Sequence, residues 1–418
     1  MTDKLDAAII GGGMIVRSQL LPSLYHLQRL GRIGGIKVCA QHGSTLKGLA
    51  EDKVLRKGFP GQSFEPHPDY ATGDLDTRQP ELYKELLASQ PPRQLAVVAT
   101  PDHLHYPIIK AALENDQHVI CVKPMVLTYG RAVEIERLAR ERGLFVGVEY
   151  HKRQDYRTLM ARQRYQAGDF GEFRLGWARL FEPWIYRHSN FQNWFTCENT
   201  DVFTYIACHY IDMVAFITGL RPAALSVYGI KDKFPNGNEG FLWSSGRIIW
   251  DNGACFTVAN ALGYPDDAAG FNTQGMALFG QAGDRSTMIW HSDQYRGVKY
   301  SIASGEKLYH EPNPDFILYL PWSGDGLMPA GYGYRSIEVM VGEAIRVEAA
   351  AGGLDGAAAR ARRRDVLREI DEKGLVATAA NSCWHELVTE AGRMSILNDG
   401  REVTIEYGEN PGVKLREY

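Results

Sequence analysis

The chain has 418 residues, enough for two domains that each bury a hydrophobic core. Its formal net charge is −4 and it carries no extended basic block, so nucleic acid is not an expected partner. No apolar run approaches the length of a membrane span, and the six cysteines lack metal-binding spacing. We therefore expect a cytoplasmic protein with free thiols, no bound metal and no membrane contact.

The first pattern is a short strand, Ala7–Ile10, followed by a glycine-rich turn at residues 11–13. Such a turn between a strand and a helix is typical of a dinucleotide-binding loop, in which Gly11 permits the tight turn and Gly13 lets the backbone approach a pyrophosphate. We expect Gly11, Gly13 and Met14 to bind the cofactor. Val16 stands where a third glycine would be, and should push the next helix slightly off the strand. A purely structural turn is the alternative.

The second strand, Ile36–Ala40, should end at the ribose of the cofactor. An acid there would bind the ribose hydroxyls of NAD, but this chain has Gln41, followed by Ser44, Thr45 and Lys47. Without the acid, a 2′-phosphate is not repelled and these polar side chains could meet it. Lys47 as an ordinary exposed helix residue is an equally good interpretation. We expect NAD or NADP, with the choice between them open.

Residues 95–124 form the clearest unit of the chain. A buried strand over Leu95–Thr100, a helix over His105–Glu114 with Asp102 as its candidate N-cap, and a strand over His118–Val122 make one βαβ unit. A third strand is poorly marked within residues 56–75, and a helix is predicted near 80–89.

Ligands of parallel sheets bind beyond the carboxyl ends of the strands. In the βαβ unit this places Thr100, Pro101, His105 and Lys123 at the cofactor site. His105 has an alternative role, which is to cap local structure.

The second half of the chain has a different pattern of predicted secondary structure. After a helix from Thr128 to Arg142 and a sixth strand over Leu144–Val148, short strands recur between residues 225 and 309, with a hairpin signal at Asn252-Gly253. Helices are predicted over 201–218 and near 334–351, 357–372 and 381–397, before a last strand at 402–407. We expect an α/β domain with a doubly wound parallel sheet over 1–150. An α+β domain with an open, mainly antiparallel sheet and helices on one face should follow over 151–418.

Several motifs together carry a family resemblance. Thr100-Pro101, His105 and the run from His118-Val119 to Lys123-Pro124 resemble the Gfo/Idh/MocA family of NAD(P)-dependent sugar and polyol oxidoreductases. Arg153, AGDFGEF at 167–173 and HYIDMVAFITG at 209–219 follow in the family's order, so the resemblance covers most of the chain and is weakest between 230 and 380. It implies that residues 1–150 are a Rossmann domain, and 151–418 a substrate-binding and dimerisation domain. Where the family has Glu-Lys-Pro, this chain has Val122-Lys123-Pro124.

The resemblance also implies an acid–base group. The family carries Asp-x-x-x-His on the helix that opens the second domain; here His209 matches the His and Tyr205 replaces the Asp. A spacing of four residues puts both on one helical face, where a neutral-pH base and a phenol could act on one substrate. A packed core histidine is the alternative. Lys123 should hold the substrate hydroxyl and share in proton transfer, unless it is only a surface lysine in a turn.

Other polar residues near this point are candidates for the substrate site. His151 and Arg153 could bind sugar hydroxyls together with Lys123 and His209. For Trp184 and Trp194 core packing is the favoured interpretation, and Asp212 should be a structural helix residue.

These expectations define three hypotheses. The first is hydride transfer between a nicotinamide and the hydroxyl or ketone of a sugar, polyol or glycoside. The second is NAD-dependent cleavage of a glycoside through transient oxidation, since the family's Glu and Asp are replaced. The third is a non-catalytic sensor that binds the cofactor. We also expect a homo-oligomer, either a dimer or a tetramer.

Overall fold

The computed structural model describes residues 4–268, 270–293 and 316–417. Contacts between Cα atoms divide the chain into two units. The first comprises residues 1–126, 130–151 and 317–383, and the second comprises residues 127–129, 152–316 and 384–418.

Strands and helices alternate at the start of the chain, and long strands dominate its middle. Residues up to 151 form strands β1 (Leu5–Ile10), β2 (Ile33–Cys39), β3 (Glu65–His67), β4 (Leu95–Val98), β5 (His118–Val122) and β6 (Val146–Glu149), and helices α1 (Leu21–Arg29), α2 (Gly43–Ala50), α3 (Lys53–Gly58), α4 (Leu82–Ser89), α5 (His105–Glu114) and α6 (Tyr129–Arg142). The next stretch forms helices α7 (Tyr156–Gln166), α8 (Phe191–Trp194) and α9 (Cys208–Thr218), and strands β7 (Glu172–Pro183), β8 (Pro222–Lys233), β9 (Glu239–Trp250), β10 (Cys255–Tyr264), β11 (Thr273–Ala282) and β12 (Arg285–Ser292). The last stretch forms β13 (Leu318–Pro321), β14 (Leu327–Ala330), α10 (Tyr332–Ala350), α11 (Gly356–Lys373), α12 (Ala379–Ser382), α13 (Trp384–Leu397), β15 (Val403–Glu406) and β16 (Gly412–Leu415).

The first unit is built on a parallel sheet. Its six strands have the order β3-β2-β1-β4-β5-β6, the doubly wound arrangement of a Rossmann fold. Every residue of β4 is buried, as expected for a strand that is covered by helices on both faces. The predicted Rossmann sheet is confirmed. At the edge of this sheet, Gly147 of β6 bridges to Thr378, so residues just before α12 cover that edge.

Residues 317–383 join this first unit, whereas the sequence-based division assigned them to the second. The reason is the apolar stripe of α10, on which Ile337, Met340 and Val341 recur at helical spacing and are at most 2% exposed. These side chains pack in the same core as Leu5 of β1 and Leu24 of α1. An amphipathic pattern shows that a face is buried, but not which core buries it.

The second unit is built on a mixed, mainly antiparallel sheet. Its eight strands have the order β12-β11-β7-β10-β9-β8-β15-β16, and β7 pairs with β10 in parallel while the other pairs are antiparallel. Helices α9 and α13 pack on one face with alternate strand residues such as Leu180, Val258 and Leu278. The predicted open sheet with helices on one face is confirmed, and the Asn252-Gly253 turn does join β9 to β10, with Gly253 at φ +82°.

Several local predictions need correction. Asp102 lies in a 3₁₀ turn, Asp102–Leu104, so it is not the N-cap of α5; that position is Leu104, without a side-chain hydrogen bond. The predicted helix over 201–218 is a π-helical turn, Phe203–Ala207, that leads into α9. The strands between 222 and 292 are longer than expected, β16 was not predicted, and the predicted strand region at 294–309 lies outside the described residues.

Within the described ranges, no helix combines the length and apolar character that crossing a membrane requires.

Candidate functional site

The glycine loop after β1 fits a dinucleotide. Gly11 has φ +127°, and a Cβ there would lie 2.1 Å from the carbonyl oxygen of Ala99, so only glycine is tolerated where the loop passes the end of β4. A Cβ on Gly13 would meet nothing within 4 Å, and Met14 is 47% exposed. The backbone at Gly13 is therefore accessible to a pyrophosphate. Val16 is buried and begins a π-helical turn that ends at Leu20, so the helix after the loop opens with a widened turn.

His105 connects the carboxyl ends of β4 and β5. Its Nε2 lies 2.8 Å from the carbonyl oxygen of Thr100, and its Nδ1 lies 2.8 Å from that of Pro124. The ring is fully buried. These contacts agree with the local structural role that the sequence left as the alternative, and a contact of His105 with the cofactor stays a prediction.

Thr100 and Lys123 follow the two strands that His105 connects. In the described part of the chain, the buried Oγ1 of Thr100 has no hydrogen-bond partner, as expected of a group that is completed by a ligand. Lys123 comes directly after β5 and is partly exposed, and the peptide bonds to Pro101 and Pro124 are trans and cis, respectively. The hydroxyl of Thr100 and the ammonium group of Lys123 therefore lie at the carboxyl edge of the sheet.

The residues predicted to meet the ribose of the cofactor follow β2. Gln41 accepts a hydrogen bond of 3.0 Å at Oε1 from Nε of Arg78, a residue that the sequence did not reveal. Thr45 lies against the glycine loop, because a Cβ on Gly12 would come within 2.5 Å of its methyl group. Ser44 and Lys47 are exposed. Arg78 thus adds a guanidinium group beside Gln41.

The last residue of β6, Glu149, carries a buried carboxylate. The carboxylate of Glu149, 2% exposed, accepts a hydrogen bond of 2.8 Å from Nε2 of Gln19, and its second oxygen lies 3.1 Å from Nδ1 of His151. Glu149 and Gln19 were both missed. The sequence feature that could have revealed Glu149 was a carboxylate at the last position of an otherwise apolar strand.

In the second unit, Arg153 is bound to Asp212. Its Nε and a terminal nitrogen donate to both carboxylate oxygens at 2.5 to 3.1 Å, and Nε2 of His385 lies 2.8 Å from the same carboxylate. Burial raises the pKa of Asp212, but the Arg153 charge and these hydrogen bonds outweigh it and hold the pKa below its usual value. Asp212 therefore has the structural role that we expected, and Arg153 is its partner. A substrate contact of Arg153 stays a prediction.

His209 and Tyr205 occupy different settings in the same unit. His209 is in the first turn of α9 and is 8% exposed, whereas Tyr205 lies within the π-helical turn before it. The Tyr205 ring packs against Phe191 and Trp194, with centroids 5.4 and 5.8 Å away. Residues four apart share a face only where the helix is α-helical throughout, and the π-helical turn changes the angle between the two side chains. Their joint action stays a prediction.

The two tryptophans also differ. Trp194 packs on the core of the second unit, as predicted, but Trp184 is 40% exposed and stacks on the guanidinium of Arg187 at 4.0 Å. Among the described residues, no group of three or more His, Cys, Asp or Glu side chains is arranged to hold a metal ion.

Within each unit, the structure places the predicted residues as follows. Gly11, Thr100, Pro101, His105, Lys123 and His151 lie at the carboxyl ends of β1, β4, β5 and β6, while Arg153, Tyr205 and His209 belong to the second unit. The model of a family described as "Oxidoreductase family, NAD-binding Rossmann fold" matches residues 5–150. The N-terminal domain belongs to the Gfo/Idh/MocA oxidoreductase family. The resemblance inferred from the motifs is confirmed for this domain, and so is the prediction of a nicotinamide dinucleotide.

Curated relatives match parts of this chain. An uncharacterized oxidoreductase of Bacillus subtilis (strain 168) is 37% identical over 97 residues, which cover 22% of this chain and only 25% of the relative's own length. The scyllo-inositol 2-dehydrogenase (NADP(+)) of the same organism is 26% identical over 201 residues, 47% of this chain and 53% of the relative. The chain therefore spans about half or less of the length of these two relatives.

A solved structure extends the likeness in fold. GenD2 from gentamicin A biosynthesis, crystallised in complex with NAD, matches with a TM-score of 0.64 over 97% of this chain and 98% of that chain, at 17% identity. At this identity the match shows that the two proteins share a fold, and both units of the present chain are included in it.

Proposed function

We propose that this chain is an NAD(P)-dependent oxidoreductase that transfers hydride between the nicotinamide and a hydroxyl or ketone of a sugar, polyol or glycoside. The observation that carries the proposal is the position of Lys123, directly after β5 at the carboxyl edge of an NAD-binding Rossmann sheet. Ligands bind at this edge, and a cation there is able to bind a substrate hydroxyl beside the cofactor.

The cofactor supplies the hydride acceptor or donor, and the protein must manage the proton. Oxidation of a carbinol releases a hydroxyl proton, which needs a positioned base. In this proposal Lys123 donates a hydrogen bond to the substrate oxygen and orients it, and His209 takes the proton. Tyr205 supports His209 through its phenol. His105 keeps the ends of β4 and β5 in place, since it contacts the carbonyl oxygens of both Thr100 and Pro124.

The substrate class is supported by likeness and by chemistry. One relative is a scyllo-inositol 2-dehydrogenase, so a related domain belongs to an enzyme that acts on a ring with several hydroxyl groups. Histidine and lysine side chains at the carboxyl edge offer the donors and acceptors that several neighbouring hydroxyls require.

The test combines cofactor binding with a carbohydrate screen. Purified protein is titrated with NAD and NADP, and each bound form is incubated with polyols, free sugars and glycosides while nicotinamide absorbance and product release are followed. We expect reduction of the cofactor in proportion to substrate oxidised. Release of free sugar without net reduction would instead show redox-assisted glycoside cleavage, and cofactor binding without turnover of any carbohydrate would support a sensor.

We also propose that the second unit forms the contact between copies in a homo-oligomer. The sheet face opposite its helices carries Leu175, Met288 and Trp290, each between 55% and 58% exposed, and Trp177 packs edge to face on Trp290 at 5.4 Å. A contiguous apolar face of this kind marks an interaction surface.

A second copy of this chain would cover that face. Light scattering during size exclusion should show a dimer or tetramer, and Trp290→Glu should shift it to a smaller species. Leu354→Glu, at an exposed leucine of the first unit, is the control and should leave the assembly unchanged. A monomeric wild-type protein would contradict the proposal.

A further inference from the structure

A proline interrupts the helical segment that follows the glycine loop. Pro22 is buried at the start of α1, four residues after Ser18 of the π-helical turn. In an α-helix the N–H of residue 22 would donate to the carbonyl oxygen of residue 18, but proline has no N–H and its ring crowds that carbonyl. The helix is widened here, and the N–H of Leu21 donates to the carbonyl oxygen of Val16, five residues back. The Ser18 carbonyl therefore lacks its α-helical donor.

Tyr319 supplies a donor to this carbonyl from the hairpin of β13 and β14. Its hydroxyl donates to the carbonyl oxygen of Ser18 at 2.7 Å. Burial, reinforced by the Asp52 carboxylate and opposed by the Arg17 guanidinium, raises the pKa of Tyr319 to about 12. The phenol therefore keeps its proton at neutral pH. A carbonyl oxygen only accepts, so the direction of this hydrogen bond is fixed.

The hairpin is held in place by contacts that do not involve this hydroxyl. Arg29 of α1 donates to the carbonyl oxygen of Leu327 in β14 at 2.7 Å and to that of Gly58 at 3.2 Å. Its guanidinium lies over the Phe59 ring, 4.8 Å from the centroid, and the Tyr319 ring packs edge to face on the same ring at 5.9 Å. Removing the hydroxyl should therefore leave the hairpin docked and break only its link to the π-helical turn.

Ser18 connects that link to the glycine loop. Its side-chain hydroxyl donates to the carbonyl oxygen of Met14 at 2.9 Å, and the N–H of Arg17 donates to the carbonyl oxygen of Gly13 at 3.2 Å. Two carbonyl groups of the loop are thus bound by the π-helical turn. Ser18 is held by Tyr319 through its own carbonyl and holds the loop through its hydroxyl.

We propose that Tyr319 is a positioning residue that holds the pyrophosphate-binding loop of the cofactor site in place through Ser18. The inference rests on the cofactor binding of the proposed function and not on its substrate. It assigns part of the cofactor affinity to a residue 301 positions further along the chain. The loop backbone at Gly13 approaches the pyrophosphate, which NAD and NADP share, so the contribution of Tyr319 should be equal for both dinucleotides.

Tyr319→Phe tests the inference because it keeps the ring on Phe59 and removes only the hydroxyl. The Kd values of NAD and NADP should both rise roughly threefold to tenfold with their ratio unchanged, since the loop loses a hydrogen bond that positions it. The KM of the cofactor should rise by a similar factor. Turnover at saturating cofactor should stay within about twofold of the wild type, because the reacting groups are untouched.

Tyr334→Phe is the matched control. The Tyr334 hydroxyl donates to Oε1 of Glu338 at 3.1 Å, and its ring lies in the hydrophobic core against which Tyr319 packs. Its hydrogen bond joins two residues of α10 and not the hairpin to the loop. This variant should lower the melting temperature about as much as Tyr319→Phe does and leave both Kd values unchanged.

Pro22→Ala tests the origin of the requirement. Alanine restores an N–H that can donate to the Ser18 carbonyl, so the helix no longer needs the phenol. Adding Tyr319→Phe to Pro22→Ala should then change either Kd by less than about twofold. In cofactor-free protein, amide hydrogen exchange over residues 16–25 should be faster in Tyr319→Phe than in the wild type, and Pro22→Ala should reverse this difference.

Three results would overturn the proposal: unchanged Kd values in Tyr319→Phe, an equal rise of both Kd values in Tyr334→Phe, or a rise in Tyr319→Phe that Pro22→Ala does not relieve. Wild-type protein that binds neither dinucleotide would refute the proposed function and, with it, the contribution of Tyr319 to affinity. Hydrogen exchange needs no cofactor, so it separates that failure from a failure of the Tyr319–Ser18 hydrogen bond.

Discussion

Arg78 donates a hydrogen bond from its Nε to Oε1 of Gln41 at 3.0 Å, just beyond the carboxyl end of β2. The loop that carries Arg78 is tied to this end of the sheet by backbone hydrogen bonds from Ser44 to Leu75 and from Gln79 to Gln41. A guanidinium at the ribose end of a Rossmann site is suited to a 2′-phosphate. Asp74 and Asp76 are exposed in the same loop and carry charges opposite to that of Arg78.

The first prediction concerns the choice between the two cofactors. Arg78→Ala should weaken NADP by about tenfold and change NAD little, because only NADP has the phosphate that the guanidinium would bind. Gln41→Asp should shift preference toward NAD, since a carboxylate binds ribose hydroxyls and repels the phosphate. Fluorescence titration gives both affinities, with Arg174→Ala in the second unit as the control. An unmoved ratio of affinities in both variants would place the ribose elsewhere.

The second prediction concerns Lys123. Lys123→Met keeps most of the side-chain bulk and removes the ammonium group. Cofactor affinity should persist, while turnover falls on the order of a hundredfold or more. The substrate oxygen loses its hydrogen-bond donor, and the hydroxyl proton loses a group that takes part in its transfer. Steady-state kinetics, with cofactor affinity measured in parallel, checks this. Near-normal turnover would remove Lys123 from the mechanism.

Strand runs and strand ends were the part of the fold that the sequence predicted best. The buried run at residues 95–98 and the helix His105–Glu114 were found because a continuous apolar run and a helical repeat leave clear local patterns. The assignment of α10 to the first unit could not be found in this way, since its stripe matches any apolar core. The π-helical turn Phe203–Ala207 was also hidden, because one extra residue in a turn barely changes the apolar pattern.

The site residues that were predicted and those that were missed differ for the same reason. Gly11, Thr100 and Lys123 were predicted because each follows a strand whose end is readable in the sequence. Glu149 and Arg78 were missed because their partners are distant: Gln19 lies 130 residues from Glu149, and Gln41 lies 37 residues from Arg78. Such pairs are set by tertiary packing, which local spacing does not encode.

The third prediction concerns stability and pH. Burial lowers the pKa of His385, although the nearby Asp212 carboxylate opposes the shift, and burial likewise lowers the pKa of His291. The unfolded chain, with histidine pKa values of about 6.5, therefore binds more protons than the native chain as the pH falls through that value. Stability that is present above about pH 6.5 should decrease on acidification.

Thermal unfolding followed at pH values of about 7.5 and 5.5 should show the lower melting temperature in acid. His385→Gln keeps a neutral donor for Asp212 but cannot titrate, so its melting temperature should depend less on pH than that of the wild type. An identical pH dependence in the two proteins would show that His385 does not contribute.

The last prediction separates His209 from Tyr205. His209→Ala should lower turnover by about a hundredfold or more if His209 is the base, with a smaller loss at high pH, where hydroxide can substitute. Tyr205→Phe retains the ring that packs 5.4 Å from Phe191 and removes only the phenol. Losing a hydrogen bond to a group that develops charge costs about 1.5–3 kcal/mol, which corresponds to a loss of roughly tenfold to a hundredfold.

Tyr186→Phe is the matched control for that variant, because the Tyr186 ring stacks on the same Phe191 at 5.4 Å and its phenol has no proposed role in the reaction. Its turnover should equal that of the wild type. If Tyr205→Phe also turns over normally while His209→Ala does not, Tyr205 serves packing alone, as its aromatic neighbours would allow. Normal turnover in both His209→Ala and Tyr205→Phe would show that the proton is handled outside this helix, and Lys123 would then be the remaining candidate among the three proposed catalytic residues.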